Sequence, residues 1–226
     1  MSELTAEQLM IQDMARSFTR DIVRPAADRL DPVKGDIPRE IIDQMGELGL
    51  FGILIGEEHG GLGLGALEYC VVAEELARGW MSVASLIARG NALIGALKSL
   101  PDDKKDAYLP RMAAGEYLGA FALSEPNAGS DVASISCRAK KVGDDYEITG
   151  AKYWCTFADG ADFILVFART DEKVDPEKRH RGISAFMVEK PRGELPQGVT
   201  GNPIPKIGYH GWKTFELSFD GCRVPA

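Results

Sequence analysis

Near residue 116 the spacing of apolar residues changes from a helical repeat to an alternating one, and a single type of layer cannot accommodate both. Upstream, TAEQLMIQDMARSFTRDIVRP places Ile11, Met14, Ala15, Phe18 and Ile22 on one helical face, with Thr5 and Gln8 spaced as a capping box and Pro25 as the stop. PREIIDQMGELGL predicts a second helix that opens on a proline at its first position and buries Ile41, Ile42, Met45 and Leu48 ahead of Gly49. Helical periods continue through ALEYCVVAEELAR and MSVASLIARGNALIGALKSL, and DDKKDAYLP closes the run after Pro101. Four or five packed helices are expected, ending near residue 116.

From residue 117 onward, YLGAFAL, SISCRAKKV, YEITGAKYW, DFILVFART, GISAFMVEK and TFELSFDGC read as short strands, separated by turns such as VGDD and KPRGELPQGVTGNP. Helices do not intervene, so the crossovers of a doubly wound parallel sheet, each about a dozen residues or more, have no room. The expected fold class is α+β, with an all-helical domain over 1–116 followed by an antiparallel, barrel-like β-domain over 117–226.

A formal net charge of -8, with no basic stripe carrying interleaved aromatics, argues against a nucleic-acid surface. The one basic cluster, EKRHR at 177–181, follows DEKVDP and reads as a solvated mixed-charge loop. The absence of a long apolar run and of a basic-then-apolar leader predicts no transmembrane segment and a cytoplasmic location. Cys70, Cys137, Cys155 and Cys222 show no C-x-x-C spacing, and His59, His180 and His210 form no metal-ligand pattern.

Two stretches carry candidate chemistry. FALSEPNAGSD, residues 121–131, leaves a strand and at once presents hydroxyls, carboxylates, an amide and a glycine. Backbone N–H groups near 124 and 129–131, with the hydroxyls of Ser124 and Ser130, suit carbonyl or phosphate oxygens, and Gly129 lets a ligand approach the main chain. The plainer reading is a self-capped turn stiffened by Pro126. In GAKYWCTFADGAD, residues 150–162, strand alternation puts Trp154 and Thr156 on one face, offering a flat ring beside a hydroxyl donor for a planar heterocycle. There the plainer reading is a core tryptophan with a satisfied threonine. GGLGLG at 60–65 follows no strand and reads as a close-packed turn, not a nucleotide loop. Glu125 stands beside the donors, with no second carboxylate at a spacing that would make an acid–base pair.

Taken together, FALSEPNAGSD and GAKYWCT resemble the flavin-binding pattern of the acyl-CoA dehydrogenase family, in which [FY]-x-[LV]-[ST]-E-P-x-A-G-S-D precedes G-x-K-x-W-I-T. The resemblance extends to EEHGGLG, VVAEELAR, YLPRMAAGE and KIGYHGWKTFELSFDGCRVP, and so covers essentially the whole chain. It implies a helical domain, a middle β-domain and a further helical domain, with FAD held between the last two. It also implies oxidation of an acyl-CoA thioester to the trans-2-enoyl-CoA, with an electron-transfer flavoprotein as acceptor and a homotetramer or homodimer as the assembly. On this resemblance Phe121 and Leu123 line the flavin, Ser124 donates to its N1/O2 edge, and Gly129 and Ser130 lie near the FAD pyrophosphate. Trp154 lies against the isoalloxazine and Thr156 donates toward N5.

Cys155 stands where the pattern has isoleucine, Trp212 where serine is common, and Arg89 where histidine or glutamine is frequent. PRGELPQGVTGNPIP is a longer link than usual. These departures bear on the acyl or CoA side of the family's site. The family's catalytic glutamate is expected beyond residue 226, so no catalytic residue is assigned within the chain. Three accounts fit that ending: a portion of a complete dehydrogenase, a short subunit completed by a complementary dehydrogenase subunit, or a non-catalytic module binding a flavin, a phosphate ligand or a protein.

Overall fold

The computed structural model describes residues 4–93, 97, 100–171 and 173–226. The chain forms two compact units, one of residues 1–118 with 206–212, the other of 119–205 with 213–226.

In the first unit, α1 (Ala6–Phe18) begins at the predicted capping box: the Thr5 hydroxyl accepts from the Gln8 N–H at 3.2 Å and the Gln8 side chain accepts from the Thr5 N–H at 3.0 Å. Pro25 does not stop this helix. The chain widens into a π-helical turn over Thr19–Val23 and continues as α2 (Arg24–Leu30), with Pro25 in its first turn. Proline has no N–H to give and its ring crowds the carbonyl four residues back, so a locally wider turn lets the helix pass it. The extra residue rotates the buried face. Ala15 and Phe18 are buried, Ile11 and Met14 half-buried, Ile22 is exposed, and Val23 takes the core position at 0 % exposure.

Among the described residues the further α-helices are α3 (Arg39–Glu47), α4 (Ala66–Gly79), α5 (Met81–Leu86), α6 (Ala88–Asn91) and α7 (Asp102–Ala113). Pro38 is the N-cap of α3 rather than its first helical residue, and Ile41 and Met45 are buried while Ile42 and Leu48 are half-buried. Residues 94–96, 98 and 99 of the apolar run predicted after Met81 lie outside the described residues. The 49–65 segment is stitched by main-chain bonds such as Leu62 N–H to Gly52 O (2.8 Å) and Gly63 N–H to Ile55 O (2.7 Å). A Cβ at Gly61 would lie 2.2 Å from Ile55 O, so GGLGLG is a close-packed turn whose glycine is required by backbone approach.

Residues 206–212 are fastened to these helices. Ile37 N–H donates to Gly211 O at 3.0 Å, the Ser82 hydroxyl donates to His210 O, and the Tyr209 hydroxyl donates to Ser85 Oγ at 2.5 Å. The Lys206 ammonium donates to the carbonyls of Tyr209 (2.7 Å) and Trp212 (2.9 Å), closing the strap on itself.

The second unit is one seven-stranded sheet of β1 (Gly119–Ala122), β2 (Arg138–Val142), β3 (Asp145–Thr156), β4 (Phe163–Arg169), β5 (Ile183–Glu189), β6 (Val199–Pro203) and β7 (Thr214–Pro225). The order is β1-β4-β2-β3-β7-β6, with β5 on the other edge of β4. The helical-then-β order is as the sequence predicts. The sheet is mixed, not wholly antiparallel: β1 runs parallel to β4 from Gly119↔Phe163 to Ala122↔Val166, and Arg138 of β2 meets Arg169 at the end of the same edge. The connection between the parallel strands β1 and β4 runs through residues 123–162, including β2 and β3, which short-strand counting does not reveal. β6 falls inside the stretch read as a long turn. Its Thr-Gly-Asn-Pro composition is poor for a strand, but it pairs with β7 at the end of the strand order, where a proline is tolerated. Among the described residues no helix is long and apolar enough to cross a membrane, and no group of His, Cys, Asp and Glu is placed to hold a metal.

Candidate functional site

The rim segment after β1 is built around a buried charge pair. Glu125 and Ala128 exchange main-chain bonds (2.8 and 3.2 Å), closing a turn with Pro126 and Asn127 at its tip. This turns the Glu125 carboxylate inward, with its side chain only 5 % exposed. It accepts from Ser136 N–H (2.7 Å), the Ser136 hydroxyl (2.8 Å), Cys137 N–H (2.9 Å) and the Lys152 ammonium (2.9 Å). Lys152 is fully buried and also donates to Leu123 O at 3.0 Å, while Tyr153 N–H donates to Ser124 O at 2.8 Å. The two polar stretches of the sequence are thus bonded to each other, residue 123 to 152 and residue 124 to 153.

Sequence reasoning read Glu125 as a turn residue and gave Lys152 no role. The available signal was phase: Lys152 shares the inward alternation of Ile148, and a lysine on the buried face of a strand requires a carboxylate partner. Burial alone pushes the Glu125 pKa up, but the N–H groups of Ser136 and Cys137, the Lys152 ammonium and the Ser136 hydroxyl outweigh it and leave the pKa lowered. A carboxyl held below its unfolded value stabilises the fold above that value and loses the contribution as pH falls through the lowered one. The stability of the protein is therefore expected to fall between about pH 5 and about pH 3 more steeply than that of Glu125→Gln, which starts lower at neutral pH. Denaturant titrations across this range would give parallel curves for the two proteins if Glu125 were not the group responsible.

Trp154 and Thr156 follow Lys152 at the C-terminal end of β3. Between Lys152 and Cys155 the pairing with β7 slips, so that three steps along β3 match two along β7. Lys152 and Cys155 are consequently both buried, and simple alternation fails across the bulge. Trp154 lies within it at φ 63°, a left-handed conformation that costs a side-chain-bearing residue about 1–2 kcal/mol, and the residue is 57 % exposed. It is therefore not a core tryptophan. Tyr153 meets the indole edge-on, with centroids 4.9 Å apart. What Trp154 and Thr156 share is accessibility: Thr156 is half-exposed, with the fully buried Cys155 between them.

The turn beyond Thr156 is pinned from several sides. The half-exposed Lys213 reaches Asp159 at 3.5 Å, Arg192 grips the Asp162 carboxylate at 2.7 Å, and the buried Lys190 ammonium donates to the carbonyls of Asp159, Ala161 and Pro191. Burial lowers the Lys190 pKa, opposed by Asp159 and Asp162.

Phe121 is half-exposed and stacks on Phe167, with centroids 6.0 Å apart and planes 6° from parallel. Leu123 and Ser124 are half-exposed; Gly129 and Ser130 are exposed on the far side of the turn. A Cβ at Gly129 would meet nothing within 4 Å, and its φ is not left-handed, so contacts inside the described chain do not require glycine there. Asp131 ties the segment's end to the basic loop by accepting from Arg179 (3.0 and 3.2 Å) and from the Ser134 hydroxyl (2.6 Å). EKRHR is thus not merely solvated: buried Arg169 donates to Ile135 O, Ala133 O, Arg179 O and Arg181 O, joining this loop to the rim. Of the departures from the family pattern, Arg89 on α6 and Trp212 in the strap belong to the helical unit, and Cys155 is fully buried in the sheet unit.

Comparison with known proteins identifies the family. The family model described as acyl-CoA dehydrogenase, N-terminal domain, matches residues 5–116, and the one described as acyl-CoA dehydrogenase, middle domain, matches residues 120–222. The chain is 39 % identical to the mitochondrial isovaleryl-CoA dehydrogenase of Arabidopsis thaliana, over 96 % of its own length and 52 % of that protein's. The solved butyryl-CoA dehydrogenase of Megasphaera elsdenii is similar at a TM-score of 0.87 and 31 % identity, covering 100 % of this chain and 58 % of that one. A glutaryl-CoA dehydrogenase from Mycobacterium smegmatis, solved in complex with FADH2, is similar at a TM-score of 0.86 and 29 % identity, covering 99 % and 55 %. The chain therefore spans about half the length of the relatives it matches. With both family models matched in order and nearly end to end, this chain belongs to the acyl-CoA dehydrogenase family.

Proposed function

We propose that this chain supplies the flavin-binding and acyl-CoA-binding part of an FAD-dependent acyl-CoA dehydrogenase. The observation that carries the reading is the junction of FALSEP with GAKYWCT through Glu125 and Lys152, beside which a bulge holds Trp154 out of the sheet. A domain division at 1–116 and 117–226 accompanies the reading and is supported by the limits of the two family matches.

The residues present fit the cofactor. The exposed indole of Trp154 offers a flat apolar surface for the ring system, with Phe121 and Leu123 as further apolar lining. Thr156 is assigned as donor toward N5 and Ser124 as donor toward the N1/O2 edge. Gly129 and Ser130 are assigned to the pyrophosphate, where open space beside the Gly129 α-carbon leaves room for close main-chain approach. When bound, FAD supplies the acceptor for the hydride that leaves the β-carbon of the acyl group. With FAD bound, Thr156 and Ser124 would hold their dipoles toward the ring edge, where prepositioned donors stabilise developing negative charge at little cost in reorganisation. The α-proton leaves to a carboxylate base, a glutamate assigned outside residues 1–226, and the product is the trans-2-enoyl-CoA. The electron acceptor in this reading is an electron-transfer flavoprotein, and the assembly is a homodimer or homotetramer.

The test is direct. The protein purified from its own cells is expected to carry FAD, and addition of acyl-CoA thioesters without oxygen should bleach the oxidised flavin and release enoyl-CoA. A preparation that neither holds nor takes up FAD, or whose flavin survives straight-chain, branched and aromatic acyl-CoAs unreduced, would overturn the proposal.

A further inference from the structure

Thr214, the first residue of β7, stands directly across the ladder from Thr156 and is 3 % exposed. The two hydroxyl oxygens are 3.1 Å apart, and either one can be the donor. A threonine hydroxyl has a single hydrogen and two acceptor sites. When the Thr156 hydrogen points across the ladder to Thr214, Thr156 offers a ligand only acceptor lone pairs. When Thr214 donates instead, the same contact is kept and the Thr156 hydrogen is turned away from the sheet. The direction of this one bond therefore sets whether Thr156 presents a donor or only an acceptor.

The backbone leaves the pair little freedom. Ile204 N–H donates to Thr214 O at 2.7 Å from one side, and Phe157 N–H donates to Lys213 O at 2.9 Å beside the pair. Both side chains are β-branched and stiff at χ1. Because the bulge between Lys152 and Cys155 restores register by Cys155↔Phe215, Thr156 meets Thr214 and not a neighbour.

We propose that Thr214 is a positioning residue of the flavin site: it donates to Thr156 and so keeps the Thr156 hydrogen directed at the cofactor. The inference rests on the assignment of Thr156 as the N5 donor. A hydroxyl that accepts one hydrogen bond also becomes a better donor in the next, so Thr214 strengthens the contact as well as orienting it.

The experiment compares Thr156→Val, Thr214→Val, Thr214→Ser and the double valine variant in the flavin-loaded protein, reading the reduction potential of the bound flavin and its rate of reduction by acyl-CoA. Thr156→Val is expected to make the potential more negative and to slow reduction by about 10²-fold. Thr214→Val should move both readouts the same way by a smaller factor, on the order of 10-fold in rate, and Thr214→Ser should restore them. In the Thr156→Val background the Thr214 change should add nothing, because Thr214 acts through Thr156. A Thr214→Val protein with unaltered potential and rate, alongside an impaired Thr156→Val protein, would overturn the role of Thr214 alone. So would an effect of Thr214→Val that adds in full to that of Thr156→Val. If Thr156→Val changes neither readout, the assignment of Thr156 itself fails and the inference falls with it.

Discussion

Lys152→Met is expected to lower the stability of the protein by about 3–5 kcal/mol, the range for removing one partner of a buried ion pair. The substituted side chain fits the volume, but the Glu125 carboxylate loses its counter-charge at 5 % exposure and Leu123 O loses a donor. The Ser136 and Cys137 N–H groups still solvate the carboxylate, so the remaining strain falls on the link between residues 123–125 and β3. Lys152→Met with Glu125→Gln should recover part of the loss, because the unpaired charge is then gone. Urea unfolding midpoints of the single and double variants measure both effects. A single-variant loss under about 1 kcal/mol would mean that the pair is effectively solvated, and the junction between the two motifs would have to be sought elsewhere.

The second large effect is expected at Thr156. Thr156→Val keeps the shape and the β-branch while removing the hydroxyl, so the sheet should fold as before. Loss of one preorganised donor to developing negative charge slows a reaction by about 10²–10³-fold, and flavin reduction by acyl-CoA is expected to fall into that range. Thermal unfolding of the variant separates the effect from misfolding. An unchanged rate in a stably folded, flavin-loaded variant would remove Thr156 from the site and leave the role of donor to the main chain.

The order of a helical layer followed by a sheet was legible in the sequence because apolar periodicity reports side-chain direction, and that survives most local irregularities. Its failures occur where one residue is added to a repeat. The π-helical turn at Thr19–Val23 moves the core position from Ile22 to Val23, and the bulge at 152–155 brings Lys152 and Cys155, three residues apart, both to buried positions. Neither insertion changes composition, so neither leaves a mark in a periodicity count. β6 was hidden for a different reason: the end strand of a sheet can be made from residues with low strand propensity when its neighbour fixes the ladder.

At the candidate site, the residues named from the family pattern were visible as side-chain types, while what holds them was not. Glu125 and Lys152 are separated by the rest of the rim segment, β2 and the first part of β3, and only folding shows that the glutamate of one motif binds the lysine of the other. Gly129 is legible only in combination: its sequence context suggests a close approach, and no contact within the described chain requires glycine there. Arg169 could not be anticipated, because its partners are carbonyls, which every residue carries.

The strap formed by residues 206–212 has a consequence for synthesis. The helical unit is complete in sequence at residue 118 except for this piece, which closes on Ile37, Ser82 and Ser85. A ribosome adding about 5–20 residues per second delivers the strap on the order of ten seconds after the last helix has emerged. During that interval Ser82, which is fully buried in the finished fold, has no carbonyl from residue 210 to receive its hydroxyl. Most of the sheet must therefore be translated before the earlier unit acquires its final hydrogen bonds, and the two halves mature together rather than one after the other.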